Sequence, residues 1–286
     1  MLLKKNTDKL NLLQGGKRDV AHQADIFNHY SLQTFNRMIQ KGTALINKKI
    51  RQAKTPFSGI IPEELSKRFH KLDMEHPHDS LDHALAELET LYLNDAVYFH
   101  HPKYMAHLNT PITNVSILGE LIQASVNTSV DTWDQSAGGT LIEQKLIDWT
   151  MERIGYDVKQ GDGVFTSGGT QSNFMALLLA RDNYCIEQLG GCNVQIQGLP
   201  EEAKRFRIFT SEVSHFSVQK SAALLGLGFY AVVTVSVDEK FCMDQAALRK
   251  EINLCKENGD IPLAVVATMG TTDFGSIDPI TEISKI

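Results

Sequence analysis

The second half of the sequence alternates short apolar segments with longer helical ones, and this alternation restricts the possible folds more than any other feature. Four segments have the β-branched and aromatic composition of strands: GVFTS, FRIFTS, YAVVTVSV and LAVVATMG. Helices are predicted between them, at residues 170–182, 216–225 and 244–257. Strands that alternate with helices predict an α/β domain with a mostly parallel sheet and helices on both faces.

The first part of the chain has helical spacing without strands. Residues 21–50 place apolar side chains along one stripe, and further helices are predicted at 80–97, 112–130 and 139–155. Asp79 or Ser80 is the expected cap of the helix that begins near residue 80. We therefore predict a helical N-terminal segment in residues 1–110, which includes a dimerisation arm, and the first part of the α/β domain in residues 111–286.

Composition excludes several classes of protein. The chain has 286 residues, of which 42% are hydrophobic, and a net charge of -6, which argues against a general nucleic-acid binder. No apolar run is long enough for a membrane span, and the first residues lack the apolar region of a signal peptide. We therefore expect a cytoplasmic protein without membrane or nucleic-acid partners. The cysteines have no metal-binding spacing and are expected to be reduced thiols: Cys185, Cys192, Cys242 and Cys255.

Polar loops follow three of the predicted strands, where ligands bind in parallel α/β sheets. In SGGTQS, Gly168 and Gly169 let the backbone approach a ligand, while Thr170 and Ser172 offer hydroxyl groups at the start of a helix. These features suit a bound phosphate, and the alternative is a tight turn that caps a helix without any ligand. The nucleotide-binding patterns with a lysine after the glycines or with three spaced glycines are absent.

The other two loops, SEVSHFS and GTTDFGS, each allow two interpretations. The flat imidazole of His215 is suited to stacking on a ligand ring, and the alternative is a structural or surface histidine. Thr271 and Thr272 have hydroxyls for a ligand oxygen, and the alternative is a polar strand end. Asp278 before Pro279 is interpreted as a helix cap rather than a catalytic acid. Because the sequence ends soon after this cap, in DPITEISKI, we expect a truncated chain.

Together, three segments resemble a known enzyme family. FTSGGTQSNFMALLLARD, SHFSVQKSAALLG and ATMGTTDFGSIDPI are similar, in this order, to the group II pyridoxal-phosphate-dependent amino-acid decarboxylases. With HPKYMAHLNTP, the resemblance extends from about residue 80 to the end. The glycine loop is most similar to that of the bacterial L-2,4-diaminobutyrate decarboxylases. The resemblance implies the large domain of the fold-type-I pyridoxal-phosphate enzymes, with its C-terminal part missing.

The resemblance also implies roles for individual residues. Gly169 and Thr170 match the positions that hold the phosphate of pyridoxal phosphate, and His215 matches the histidine that stacks on its ring near the substrate. Thr272 matches a threonine beside the cofactor, and Thr110 matches a threonine of the substrate pocket. No metal is implied.

The implied reaction is decarboxylation of L-2,4-diaminobutyrate to 1,3-diaminopropane by a homodimeric enzyme. The alternatives are a decarboxylase for glutamate or an aromatic amino acid, another fold-type-I enzyme, or an inactive truncated product. The family's lysine that binds the cofactor aldehyde and its aspartate that pairs with the ring nitrogen are expected beyond residue 286, and Lys220 and Lys285 are assigned to neither role. The chain alone is therefore expected to be inactive.

Overall fold

A computed structural model describes residues 26–107 and 109–286 of the chain. It divides the chain into two compact units, Met1–Ser136 and Ala137–Ile286. Residues 21–25 of the predicted N-terminal helix lie outside the described residues. The proposed domain boundary near residue 110 stays a prediction.

The described part of the first unit is helical, as the sequence predicts. Ser80 caps one of these helices, because the N–H group of His83 donates to its hydroxyl at 3.2 Å. That helix continues directly into a π-helical turn, Glu89–Leu93. The α-helices of this unit are α1 (Leu32–Gln52), α2 (Pro62–Phe69), α3 (Leu81–Leu88), α4 (Asn114–Val126) and α5 (Trp133–Ser136).

Polar contacts join α1 to α3 and the π-helical turn. The ammonium group of Lys41 lies 2.6 Å from the carboxylate of Asp82. Lys48 and Lys49 each approach Glu89 at 3.0 Å, and the bonds from Lys49 and then Lys48 hold the pKa of this carboxyl below its usual value. Among the described residues of this unit, none is fully buried except Ser31. The helices of the first unit therefore share ion pairs rather than a buried apolar core.

The second unit contains the predicted strands and helices in alternation. Its α-helices are α6 (Gly138–Ile154), α7 (Gly169–Gln188), α8 (Val194–Gln197), α9 (Ser217–Leu224), α10 (Gln245–Glu257) and α11 (Ile280–Ile283). Its strands are β1 (Phe206–Ser211), β2 (Val232–Val235) and β3 (Ile261–Val266). Throughout the described ranges, no helix is both long and apolar enough to cross a membrane.

The strands form a parallel sheet in the order β2-β1-β3, so β1 lies in the middle. Successive residues of β1 point to opposite faces, as the period of a strand requires. Phe209 packs in a core with Leu248 of α10, and Ile208 packs in a second core with Leu177 of α7 and Val218 of α9. Helices therefore cover both faces of the sheet, and the predicted α/β architecture is confirmed.

The predicted strand GVFTS is wrong. In the described part of the chain, residues 163–167 pair with no strand, and Val164 and Phe165 are more than half exposed, at 59% and 57%. A strand forms only where a neighbouring strand pairs with its N–H and C=O groups. The composition of five residues does not show whether such a neighbour is present. This segment is an extended lead into α7.

The cysteines are free thiols, as the sequence predicts. Cys185 and Cys255 lie in the apolar cores of the second unit. Burial raises the pKa of both thiols above the usual value, so both stay protonated near neutral pH. Their surroundings therefore fit a packing role rather than a reactive one.

Candidate active site

The glycine loop at the start of α7 is held by its own side chains. The amide oxygen of Gln171 accepts bonds from the N–H group and the hydroxyl of Ser167, at 2.8 and 2.7 Å. A Cβ atom built on Gly168 or Gly169 would meet no atom within 4 Å, so the loop faces open space. The conformation of the loop is therefore fixed by its own hydrogen bonds, and the loop leaves room for a ligand to approach the backbone.

The donors at this loop fit a phosphate group. Gly168 precedes the 20-residue helix α7 and provides no side-chain cap. In the described part of the chain, the N–H groups of Gly169 and Thr170 have no acceptor, and neither has the Thr170 hydroxyl. The Ser172 hydroxyl, by contrast, is bonded to that of Thr166 at 2.7 Å. Free N–H groups and the positive end of the helix dipole favour an anion at this position.

His215 lies in the loop between β1 and α9. Its Nδ1 atom accepts a hydrogen bond from the N–H group of Ser217 at 3.2 Å. This contact places the proton of a neutral imidazole on Nε2, which leaves an N–H group for another partner. One side of the ring lies against Phe216, with the ring centroids 4.1 Å apart, and the side chain of His215 remains exposed.

Side-chain bonds join α7 to α9, and the loop of His215 to the segment that follows β3. The amide of Asn173, in the second turn of α7, donates to the hydroxyl of Ser217, the first residue of α9, at 2.9 Å. Ser214, next to His215, shares a hydrogen bond of 2.7 Å with Thr268, which follows β3. The loop of His215 and the loop after β3 are therefore joined at the carboxyl edge of the sheet, and α7, which begins at the glycine loop, is bonded to α9. Sequence reasoning missed these residues, because their partners lie 44 and 54 positions away.

The two adjacent threonines after β3 have different surroundings. Thr271 is buried, and its hydroxyl accepts the N–H group of Ser276 at 3.1 Å and contacts the Ser276 hydroxyl at 2.8 Å. Thr272 is exposed, and no hydrogen bond occupies its hydroxyl among the described residues. Thr271 therefore shapes the loop, whereas Thr272 is the one available to a ligand.

The interpretation of Asp278 as a helix cap is wrong. Its carboxylate is buried and accepts the N–H groups of Met243 and Thr268, both at 2.7 Å. The four-residue helix α11 begins at Ile280 and has Pro279 at its N-cap position. A short Asp-Pro pattern indicates a cap, but here loops distant in sequence supply better donors for a buried carboxylate.

Thr110 lies in the first unit, in the exposed loop before α4. No hydrogen bond joins it to another of the described residues. Its role in a substrate pocket stays a prediction.

Comparison with known proteins identifies the family. Residues 62–286 match the pyridoxal-dependent decarboxylase conserved domain. The chain is 45% identical over 210 residues to an L-2,4-diaminobutyrate decarboxylase of Acinetobacter baumannii, which covers 71% of this chain and 41% of that protein. It is 37% identical over 203 residues to the enzyme of the same name from Rhizobium meliloti, covering 71% of this chain and 38% of that protein.

A solved structure has the same fold. It is the glutamate decarboxylase domain of diaminobutyrate-pyruvate transaminase and L-2,4-diaminobutyrate decarboxylase from Vibrio parahaemolyticus, with 36% identity and a TM-score of 0.86 over 91% of this chain and 56% of that one. The chain thus spans about four-tenths of the length of the curated relatives it matches. The predictions of the fold-type-I class and of pyridoxal phosphate as the cofactor are confirmed. The chain belongs to the pyridoxal-dependent decarboxylase family.

Proposed function

We propose that the protein decarboxylates L-2,4-diaminobutyrate to 1,3-diaminopropane with pyridoxal phosphate. The observation that carries this proposal is an open, donor-rich glycine loop at the start of α7, a helix that is bonded to α9, together with the bonded loops of His215 and Thr272, in a chain of this family. The choice of substrate is supported by the two bacterial relatives named L-2,4-diaminobutyrate decarboxylases.

The glycine loop would hold the phosphate of the cofactor. The N–H groups of Gly169 and Thr170 are free to donate, and the Thr170 hydroxyl adds a third donor. The dipole of α7 favours the same charge. These groups bind and orient the cofactor without taking part in bond breaking.

His215 would lie over the ring of the cofactor and near the substrate. Because its Nδ1 atom is occupied by Ser217, its Nε2–H group is the one that can hold or move a proton. Thr272 would donate its hydroxyl to a ligand oxygen, and Thr110 would contribute to the substrate pocket. Pyridoxal phosphate, when bound, supplies the electron-accepting ring that stabilises the charge left when CO2 departs.

The test uses the full-length enzyme. His215→Ala should lower the rate of CO2 release from L-2,4-diaminobutyrate by about 10²–10⁴-fold, the usual contribution of an acid–base or positioning group. His83→Ala, which removes an exposed imidazole of the first unit, is the matched control and should keep full activity. Turnover near the wild-type level in folded His215→Ala would remove His215 from the site. If the enzyme released CO2 from glutamate and not from L-2,4-diaminobutyrate, the proposed decarboxylation would stand but its substrate would be glutamate.

The full-length protein is further proposed to be a homodimer whose N-terminal helices pack across the two-fold axis. In support, α1 is 21 residues long and contributes no buried residue among the described ones, while Met38, Ile46 and Ile50 are 45%, 49% and 44% exposed. Such an apolar stripe favours a partner surface. Sedimentation should give a dimer at micromolar concentration, and Ile46→Glu should weaken it about tenfold or more. Gln40→Glu on the same helix is the control and should leave the dimer unchanged. A wild-type protein that sediments only as a monomer would refute the proposal.

A cytoplasmic location is also proposed. The four free cysteines support it, because thiols persist in reducing compartments. Fractionation of cells that express the full-length protein should recover it with the cytoplasmic proteins, and recovery from a membrane or secreted fraction would contradict the proposal.

A further inference from the structure

Two loops lie next to each other at the carboxyl edge of the sheet. The first, here the support turn, is residues 238–243 and follows β2. The second, here the threonine loop, is residues 268–278; it follows β3 and contains Thr272. The mechanism proposed above uses Thr272 but gives no role to the support turn.

The support turn is fixed internally and to the core. The carboxylate of Asp238 accepts the N–H groups of Lys240 and Cys242 at 2.8 and 3.0 Å, and the Asp238 N–H donates back to the carbonyl of Cys242 at 2.8 Å. At its end, the side chain of Met243 is 1% exposed in the core beneath α10. The backbone of the support turn is therefore held in one conformation by these bonds and by the buried side chain of Met243.

The threonine loop is tied to the support turn by Asp278. One carboxylate oxygen accepts the N–H group of Met243 in the support turn, and the other accepts that of Thr268 at the start of the threonine loop. The backbone of Asp278 also donates to the carbonyl of Thr268 at 2.9 Å. One buried side chain thus holds both ends of the threonine loop against the support turn.

The tip of the threonine loop depends on a different contact. The N–H groups of Gly270 and Thr271 both donate to the carbonyl of Ser276, which leaves residues 272–274 at an exposed tip. These three residues make no hydrogen bond within the described ranges. Phe274 instead stacks on Phe241 of the support turn, with centroids 4.0 Å apart and ring planes within 3°. The Gly275 N–H group closes the tip by donating to the carbonyl of Thr271 at 2.8 Å, and the ring pair is the side-chain contact that holds this tip, with Thr272, against the support turn.

The backbone of Phe241 has an unfavourable conformation for a large side chain. Its φ angle is 60°, in the left-handed region, which is unfavourable for a bulky residue and which glycine or asparagine would adopt more easily. Both rings are about half exposed, at 43% and 51%, so the pair is not part of an apolar core. A phenylalanine kept at a strained and exposed turn position indicates that its ring has a specific task.

We propose that Phe241 and Phe274 are positioning residues, which set the hydroxyl of Thr272 for the cofactor while Asp278 fixes the base of the loop. This inference rests on the proposed function and extends it to Phe241 and the support turn, which lie outside the three loops predicted to bind a ligand. It assigns the support turn the role of aligning one cofactor contact.

The experiment measures the affinity of the full-length apoenzyme for pyridoxal phosphate, together with its melting temperature. Phe274→Leu and Phe241→Asn should each weaken cofactor binding about three- to tenfold, the range expected when one aromatic pair is lost. Asparagine is chosen at 241 because it tolerates the left-handed backbone, so the melting temperature should stay unchanged. The control is Phe229→Leu, an exposed phenylalanine before β2, which should bind as the wild type does.

A double-mutant cycle separates positioning from general structure. If the ring pair acts through Thr272, Phe274→Leu should have no further effect on cofactor affinity in the Thr272→Val background. Additive losses, or wild-type affinity in both ring variants, would overturn the inference while the proposed function stands. A wild-type enzyme that neither binds pyridoxal phosphate nor releases CO2 would overturn both.

Discussion

The two units use apolar residues in opposite ways. In the second unit, Phe206, Ile208 and Phe209 of one strand are all completely buried. In the first unit, large apolar residues such as Ile112 and Val115 are 72% and 77% exposed, and no apolar side chain is fully buried among the described residues. A sheet offers each flanking helix a continuous apolar face, whereas helices joined by ion pairs do not. The comparison shows that amphipathic patterning predicts a buried face but not the surface that covers it.

The largest difference should appear when an aromatic ring is removed from each unit. Phe209→Ala deletes a completely buried ring that packs against Val235, Met243 and Leu248, and should lower the free energy of unfolding by about 3–5 kcal/mol. Phe69→Ala removes a ring of α2 that is 48% exposed, and should cost about 1 kcal/mol or less. Denaturant unfolding of the full-length protein measures both. Equal losses would contradict the comparison.

A buried carboxylate provides the second contrast. Asp278→Ala leaves the N–H groups of Met243 and Thr268 without their acceptor, and should lower the free energy of unfolding by about 3 kcal/mol. Asp273→Ala, at the exposed tip of the same loop, should change it by less than about 0.5 kcal/mol. Denaturant unfolding of the full-length protein measures the free energy of unfolding of both variants. A loss for Asp278→Ala no larger than that for Asp273→Ala would show that the carboxylate is not a structural tie.

Local composition predicted the elements of the fold better than their pairing. The segment FRIFTS was predicted as a strand, and β1 has the same bounds, Phe206–Ser211. It succeeds because its aromatic and β-branched residues lie in the middle of the sheet, where both faces are covered. GVFTS ends in the same three residues, Phe-Thr-Ser, and fails, because strand pairing depends on a neighbour elsewhere in the chain. Composition therefore indicates what a segment can form, and the rest of the fold decides whether it does.

Those parts of the candidate site that lie within one short segment of sequence could be predicted, whereas contacts between distant residues could not. The glycine loop and its helix are contiguous, so the open turn before α7 could be predicted from the sequence alone, while the anion site at Gly169 and Thr170 stays a prediction. The bond from Asn173 to Ser217 could not, because it joins residues 44 positions apart. The same holds for Asp278, whose donors lie 10 and 35 positions away and override its local pattern.

Helix caps test whether the units differ in local as well as tertiary stability. Asp244 caps α10 by accepting the N–H group of Ala247 at 2.7 Å, and Ser80 caps α3 by accepting that of His83 at 3.2 Å. Asp244→Ala should cost about 1 kcal/mol, because α10 packs on the sheet, and Ser80→Ala about 0.5 kcal/mol. Amide hydrogen exchange should rise across α10 in the first variant and only near α3 in the second. Global exchange in Ser80→Ala would show that the first unit is as cooperative as the sheet.

The smallest effect concerns the ion pairs that join α1 to the π-helical turn. Bonds from Lys49 and Lys48 hold the pKa of Glu89 below its ordinary value of 4.5, so the charged form is favoured in the folded state. For a lowered pKa, the stabilisation is fully present above the ordinary value and is lost as pH falls through the folded pKa. The melting temperature of Glu89→Gln should therefore be slightly lower than that of the wild type at pH 7, and the gap should close as pH falls below about 4.5. Salt should narrow the gap as well, because these groups are near solvent. Gln40→Ala, which removes an exposed neutral amide from α1, is the control, and its melting temperature should differ from that of the wild type by the same amount at every pH. A gap that widens in acid would mean that Lys48 and Lys49 do not stabilise the charged carboxylate, and that the first unit is held together by something other than its ion pairs.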